Sequence, residues 1–361
     1  VGGICAHVGS GKISQCFFAG DLQGRNATAG ICGMGGNVGG INHCISIATI
    51  DITENDSNLA GITNSRDYGV TNCYFNNDIC NVEDTYKLGC TTLQLTSSSF
   101  FEKLKTNGFS PELWTKKAND KENGIAYYPS LGENNAVGVN YTTGLLFERT
   151  DNATPTYGQD ITFNAKALVN FAADKLLGSE IVGRTWLFEK IKAWAEDTEG
   201  SFEIRIGDTP VVSAADFKNG IATYKAQTVG ETIFTLVYTG TNSSFFPEQT
   251  KKNLTVNINP ATLTVEGEGI ASGTYGTKLS GLTVNGLTAK LGNNVIDGSW
   301  KIDGDEIPYV GDSETYTATF VPEHPEYYQP LTASVKLKIE KAEVSAIPMQ
   351  NLYYSWAAKG E

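Results

Sequence analysis

"AGICGMGGNVGGINHCISIA", residues 29–48, reads as a small residue, Gly, Ile and Cys, a glycine-rich turn, then Ile, two polar residues and a second Cys. The same order recurs in "GGICAHVGSGKISQCFFAG" (2–20). It recurs again in "AGITNSRDYGVTNCYFNN" (60–77), with Thr in place of the first Cys. Three ladders of equivalent positions follow: Cys5, Cys32 and Thr63; Cys16, Cys44 and Cys73; Ile4, Ile31 and Ile62. A repeat at fixed period cannot bury its apolar face alone, but stacked copies share one core. The period therefore predicts a short β-solenoid over residues 1–90. Its ladder residues point inward, about 4.8 Å apart, and its glycines form the corners.

Cys16, Cys44 and Cys73 are 28 and 29 residues apart. One reading makes all the ladder cysteines small, buried packing groups. The other makes them metal ligands, but there is no C-x-x-C, and a linear ladder does not surround one ion tetrahedrally. Bridges between in-register cysteines are disfavoured, because a disulfide needs converging Cβ atoms. Cys80 and Cys90, flanking a loop, are the better bridge candidates. All seven cysteines precede residue 91, so no disulfide framework runs through the chain.

These repeats resemble the GLUG family of short repeats found in bacterial surface and secreted proteins, over roughly residues 1–80. The resemblance implies a cell-surface or secreted adhesion protein that binds host matrix, mucin or glycan.

Residues 91–136 change character. "TTLQLTSSSFFEKLKTNG" predicts one or two short helices, with Thr92 or Ser97 as N-cap, Phe100, Phe101 and Leu104 on one face, and Gly108 at the end. A solenoid needs its open end covered, so this segment is read as a cap. Trp114, Tyr127 and Tyr128 belong to its core or line a sugar site.

From residue 137, short alternating strands punctuated by Gly and Asn predict β-sandwiches. Residues 137–259 resemble bacterial Ig-like domains at Gly220–Tyr224, Tyr238–Gly240 and Leu254–Val256. The stretch 174–199 departs from that pattern. It holds a short helix, with Leu187, Ile191 and Trp194 at helical spacing, or two longer strands. Trp186 and Trp194 are packing residues or ligand-binding candidates. "INPATLTV" and "IEKAEVSA" align about 81 residues apart and bound a second module, 260–342. This module resembles the MBG-type Ig-like repeats, with Trp300 in its core and Pro322, Pro325, Tyr327 and Tyr328 in a turn. Residues 343–361 begin a further module or add a terminal strand.

The expected fold is thus all-β: a solenoid with a small helical cap, then tandem Ig-like sandwiches. Net charge −13 argues against a nucleic-acid partner. No apolar run reaches membrane-spanning length. The start of the chain inside a repeat leads to the expectation of a mature fragment, monomeric and on a bacterial cell surface. Three histidines (His7, His43, His324) form no catalytic or zinc motif. Asp21, Asp51, Asp56 and Asp67 read as turn residues, and "DITENDSN" (51–58) as a loop or a weak Ca²⁺ site. No enzyme activity and no cofactor are expected. Two alternatives stay open: an accessory region of a larger secreted protease or glycan-degrading enzyme, and a β-helix polysaccharide-active enzyme.

Overall fold

The computed structural model describes residues 1–36, 39–52, 59–65, 69–80, 82, 87–171, 176–177, 194–312 and 314–343. At 51–52, 176–177 and 194 it describes the backbone alone. The protein is mostly β. It divides into two compact units. The first holds Val1–Asn152, Ile161–Tyr224 and Ile233–Val256; the second holds Ala153–Asp160, Lys225–Thr232 and Asn257–Glu361.

The first unit opens with short strands: β1 (Cys5–Val8), β2 (Lys12–Ser14), β3 (Phe17–Gly24), β4 (Thr28–Ala29), β5 (Cys32–Gly35), β6 (Gly40–Asn42), β7 (Ile45–Ile52), β8 (Leu59–Ala60), β9 (Gly69–Thr71), β10 (Tyr74–Asn76) and β11 (Gly89–Cys90). Every pairing among them is parallel. β1 pairs with β5, β4 with β8, β2 with β6 and β6 with β9, and the sheet order of the rest is β3-β7-β10-β11. The registers match the sequence repeat: Cys5 opposite Cys32, Ile13 opposite Ile41, Ile41 opposite Val70, Phe17 opposite Ile45, Ile45 opposite Tyr74. Ile31, Cys32, Ile41, Cys44, Ile62, Cys73 and Phe75 form the core they enclose. Ile4 departs from its ladder: Ile31 and Ile62 are buried, while Ile4 is 44% exposed.

Glycine serves the turn between β5 and β6, where Gly39 has φ 132°, but not the corners ahead of Cys16, Cys44 and Cys73. There the chain turns at Gln15, His43 and Asn72, one residue before Cys16, Cys44 and Cys73, with φ of 54°, 53° and 50°. Asn and His tolerate this left-handed conformation better than most residues. Each following thiol then donates across the corner to the carbonyl two residues back: Cys16 to Ser14 (3.3 Å), Cys44 to Asn42 (3.2 Å), Cys73 to Thr71 (3.4 Å). A cysteine here is both a small apolar filler and a weak donor to a carbonyl, which an alanine would not be.

The repeated glycines answer a different need. A Cβ on Gly61 would lie 2.2–2.4 Å from the Phe75 ring. On Gly3 it would meet Phe18 at 2.5 Å, and on Gly30 the Ser46 hydroxyl at 2.1 Å and the Gly61 carbonyl at 2.2 Å. Phe18, Ser46 and Phe75 are register partners, so each turn pairs one glycine with one residue of this column. Ser46 is the odd member, since its buried hydroxyl has no hydrogen-bond partner among the described residues. Ser46→Ala is therefore expected to raise stability by about 1 kcal/mol, because an unsatisfied buried hydroxyl costs about that much or more. Urea denaturation reads it, and a loss of stability would contradict it.

The helices are α1 (Thr92–Leu95) and α2 (Ser98–Thr106). Thr91, not Thr92, caps α1, in a reciprocal pair with Gln94. Ser97 caps α2 by accepting from the Phe100 amide. Phe100 and Leu104 are buried, and Gly108 (φ +85°) follows the helix end. The segment was expected to cover the end of the stack, but it lies along the flank and touches all three repeats. Gln15 accepts from Trp114 Nε1 (2.7 Å), Asn72 Nδ2 donates to the Asn107 carbonyl (2.8 Å), and His43 packs edge-on against Phe109 (5.4 Å). The three corner residues stack in one column, and the amides of Gln15 and Asn72 bond the backbone of 107, 108 and 110. The outer faces of β3 and β10 join in through Phe17 on Trp114 and Tyr74 on Phe100. The parallel sheet is thus covered on both faces, as such sheets require.

Two small antiparallel sheets follow, Trp114–Thr115 with Ser130–Leu131, and Ile125–Tyr127 with Gly138–Asn140 and Leu176–Leu177. Two larger antiparallel sheets also belong to the unit. One joins Thr142–Arg149, Asp160–Asn170, Trp194–Glu196 and Ile221–Lys225. The other joins Thr209–Val212, Ser201–Ile206, Gly230–Thr239 and Gln249–Ile258. Alternate residues of Asp160–Asn170 are buried, and Phe163 packs on Phe234 (5.0 Å) between the sheets. The helix considered around Leu187 and Ile191 lies outside the described residues, as do Trp186 and 344–361.

The second unit has a three-stranded sheet (Thr264–Glu266, Thr288–Leu291, Asn294–Val295). It also has a five-stranded one (Thr283–Asn285, Gly269–Thr274, Thr332–Glu340, Thr315–Pro322, Gly298–Ile302). Trp300 packs against Phe320 (5.2 Å) and borders both apolar clusters.

Candidate functional site

The aromatic candidates do not form a sugar platform. Trp114 is 2% exposed, enclosed by Phe17 and Phe109, and its indole N–H is spent on Gln15. Tyr127 is buried beneath the Lys117 ammonium, 4.4 Å above its ring. Tyr128 is buried as well, and its hydroxyl accepts from Asn76 Nδ2 (2.8 Å), which also donates to Thr92 (3.0 Å). All three are packing residues of the flank. The side chains of Trp186 and Trp194 lie outside the described residues, as does 53–58 of the acidic stretch.

The cysteines are all free thiols, so the bridge considered between Cys80 and Cys90 is not formed. Burial and the neighbouring Cys44 push the Cys16 thiol up to about 11. Burial alone pushes Cys80 up to about 12. Thiols held protonated are poor nucleophiles and poor metal ligands. Among the described residues, no group of three or more His, Cys, Asp or Glu is placed to hold a metal ion. His43 Nδ1 lies 3.0 Å from Asn42 Oδ1, which also accepts from Ser14, so Nδ1 is the donor. Asp21 and Asp51 lie on β3 and β7 rather than in turns, and Asp21 accepts from Thr49 (2.5 Å). Asp56 and Asp67 lie outside the described residues.

A polar junction that the sequence reading missed joins the flank to the sandwich. Ser99 donates to Glu199 (2.6 Å), Ser244 donates to Glu199 (3.1 Å) and accepts from the Ser98 amide (2.8 Å). Asn119 Nδ2 donates to the carbonyls of Thr96 and Ser244 (3.0 Å each), and Lys121 to that of Ser243 (2.7 Å). Beneath them, the buried Asp197 accepts from the Ser243 hydroxyl and the Glu199 amide. The residues come from stretches about 100 positions apart, with no local spacing to reveal them.

Lys116 sits beside this junction and donates to Asn119 Oδ1 (3.0 Å). Burial pulls its ammonium down to about 8, and Glu199 opposes the shift. A lysine with a lower folded than unfolded value binds its proton less readily when folded. It therefore destabilises below about pH 8, and the penalty fades as pH rises toward 10.5. Lys116→Met is expected to gain about 1–2 kcal/mol at pH 7, after discounting for partial solvation, and to gain nothing above about pH 10.5. Thermal unfolding of both proteins from pH 6 to 10.5 checks this; a gain that is flat with pH would contradict it.

The second unit contains a cleft of about 790 Å³. Its walls are pinned by reciprocal backbone bonds: Gly158 N to Ala226 O (2.9 Å), Ala226 N to Gln159 O (2.8 Å), Tyr157 N to Asn259 O (2.9 Å). The Tyr157 ring stacks flat on Tyr327 (4.4 Å, 8°) and edge-on to Tyr328 (5.6 Å). Among the described residues, Lys225 is the only charged one lining it. Its remaining polar lining is amide and hydroxyl. Sequence analysis placed Tyr327 and Tyr328 in a turn but gave no sign that Tyr157 and Lys225 meet them.

No family model matches the chain, and no curated protein matches it. Among solved structures, the chain is similar to the fibronectin(III)-like modules of Clostridium thermocellum CbhA (14% identity, 56% of this chain and 98% of that one, TM-score 0.19). It is also similar to three N-terminal domains of the bacteriophage RB49 outer capsid protein Hoc (12%, 64% and 88%, TM-score 0.20). A third is Drosophila N-cadherin EC1-4 (10%, 64% and 73%, TM-score 0.19). Scores at this level do not establish a common fold. Among the described residues, no helix is long and apolar enough to cross a membrane.

Proposed function

We propose that the chain is a non-catalytic part of a bacterial cell-surface or secreted adhesion protein. Its GLUG-like β-solenoid, residues 1–90, serves as a binding head, and its Ig-like sandwiches, 137–259 and 260–342, serve as the carrier. The ligand is host matrix, mucin or glycan, and nucleic acid is not a partner. One observation carries the reading. The flank segment fastens all three repeats of the head through Gln15, His43 and Asn72, and it is itself fastened to a sandwich through Ser98, Ser99 and Asn119. Such a body suits presenting a rigid surface. The residues that looked reactive are used for packing and corners instead.

The test is the purified chain in biolayer interferometry against immobilised mucin, collagen, fibronectin and a polysaccharide panel, with reducing-end release followed in parallel. Saturable binding without release of new ends is expected. Turnover of any polymer, or no binding to any surface, overturns the proposal.

A further inference from the structure

We infer that the cleft of the second unit is a saccharide site with a preference for sugars carrying a carboxylate. This goes beyond the proposed function, because it needs no ligand on residues 1–90. A sugar ring has apolar faces and a rim of hydroxyls, each both donor and acceptor. Tyrosine rings match the faces, and primary amides match the rim because each offers donors and an acceptor. The cleft has both. Tyr157 and Tyr328 line it, with Tyr157 already held by its stack on Tyr327. The side-chain amides of Gln227 and Asn294 also line it, and they make no hydrogen bond within the protein among the described residues. At about 790 Å³ it falls within the usual range of small-ligand sites.

Charge sets the preference. The chain carries −13, yet no carboxylate lines this cleft, and Lys225 forms no ion pair among the described residues. Asp297 and Glu323, beside His324, line a smaller adjoining cavity of about 210 Å³ that shares Ile296 and Tyr328. They repel an anion there, which assigns the ligand's carboxylate to the part of the cleft at Lys225.

The full chain is titrated calorimetrically with hyaluronan tetrasaccharide, which alternates glucuronate and N-acetylglucosamine, and with neutral chitotetraose. Both should bind, hyaluronan more tightly. Lys225→Gln should weaken hyaluronan about two- to fivefold, as an exposed ion pair allows, and leave chitotetraose unchanged. Gln227→Ala and Asn294→Ala should weaken both. All three side chains are exposed, so these variants leave the core intact. No binding of either sugar, or binding indifferent to the amide variants, overturns the site. Equal binding of the two sugars, unaffected by Lys225→Gln, overturns the preference. Mucin or matrix binding by the head is read separately, with Lys225→Gln as its control, so failure of one reading is distinguishable from failure of the other.

Discussion

Gly61→Ala is expected to lower stability by about 3 kcal/mol, at the upper end of the usual cost of overpacking a closed core. The added methyl would sit 2.2–2.4 Å from three carbons of the Phe75 ring. That ring is 2% exposed and packs within the core shared by the repeats, so it has little room to withdraw. The clash is with a side chain, which makes it separable. In a Phe75→Ala background the same substitution should cost less than about 1 kcal/mol, a coupling of about 2 kcal/mol in a double-mutant cycle. Gly30→Ala should cost at least as much but should not be rescued by Ser46→Gly, because its methyl also meets the Gly61 carbonyl at 2.2 Å. Urea midpoints at constant m-value measure all of these. An additive cycle at 61 and 75 would contradict the packing described.

Asp197→Ala is the second large effect, an expected loss of about 3 kcal/mol. The carboxylate is 2% exposed and serves two donors, the Ser243 hydroxyl and the Glu199 amide. The Ser243 oxygen in turn accepts from the amides of Phe245 and Phe246 (3.0 Å each), whose rings are buried. Loss of the acceptor strands these groups and loosens the loop that Ser98, Asn119 and Lys121 grip. Asp197→Asn keeps one acceptor and should cost about half as much. Equilibrium unfolding gives the magnitude, and limited proteolysis gives the place: new cleavage should appear within 91–136 and 240–246. An Asp197→Ala protein as stable as the parent would show that the junction contributes nothing.

What could be read from the sequence was what repeats. The offset between Cys16, Cys44 and Cys73 recurs in the strand registers, because in-register stacking turns a sequence period directly into a contact. The pairing of Cys5 with Cys32 follows the same logic. The corners at 15, 43 and 72 were missed because Asn and His only favour a positive φ without requiring it, and Gln15 carries no such signal at all. Gly3, Gly30 and Gly61 looked like turns, yet they answer to Phe18, Ser46 and Phe75, a contact visible only once the turns close. Trp114 and Tyr127 looked available because their segment is polar. Their burial comes from the flank lying against the corner column, which depends on side chains up to 99 residues away. The junction at Glu199 and the cleft at Tyr157 are likewise products of tertiary approach.

The central claim is that the described strands of the three repeats pair in parallel and in register, with each repeat lying beside the next. Inter-strand NOEs in the isotope-labelled full chain test it most directly. The account predicts backbone contacts of Ile41 with both Ile13 and Val70, and of Ile45 with both Phe17 and Tyr74. Antiparallel patterns in this region, or contacts of Ile41 with neither Ile13 nor Val70, would contradict it.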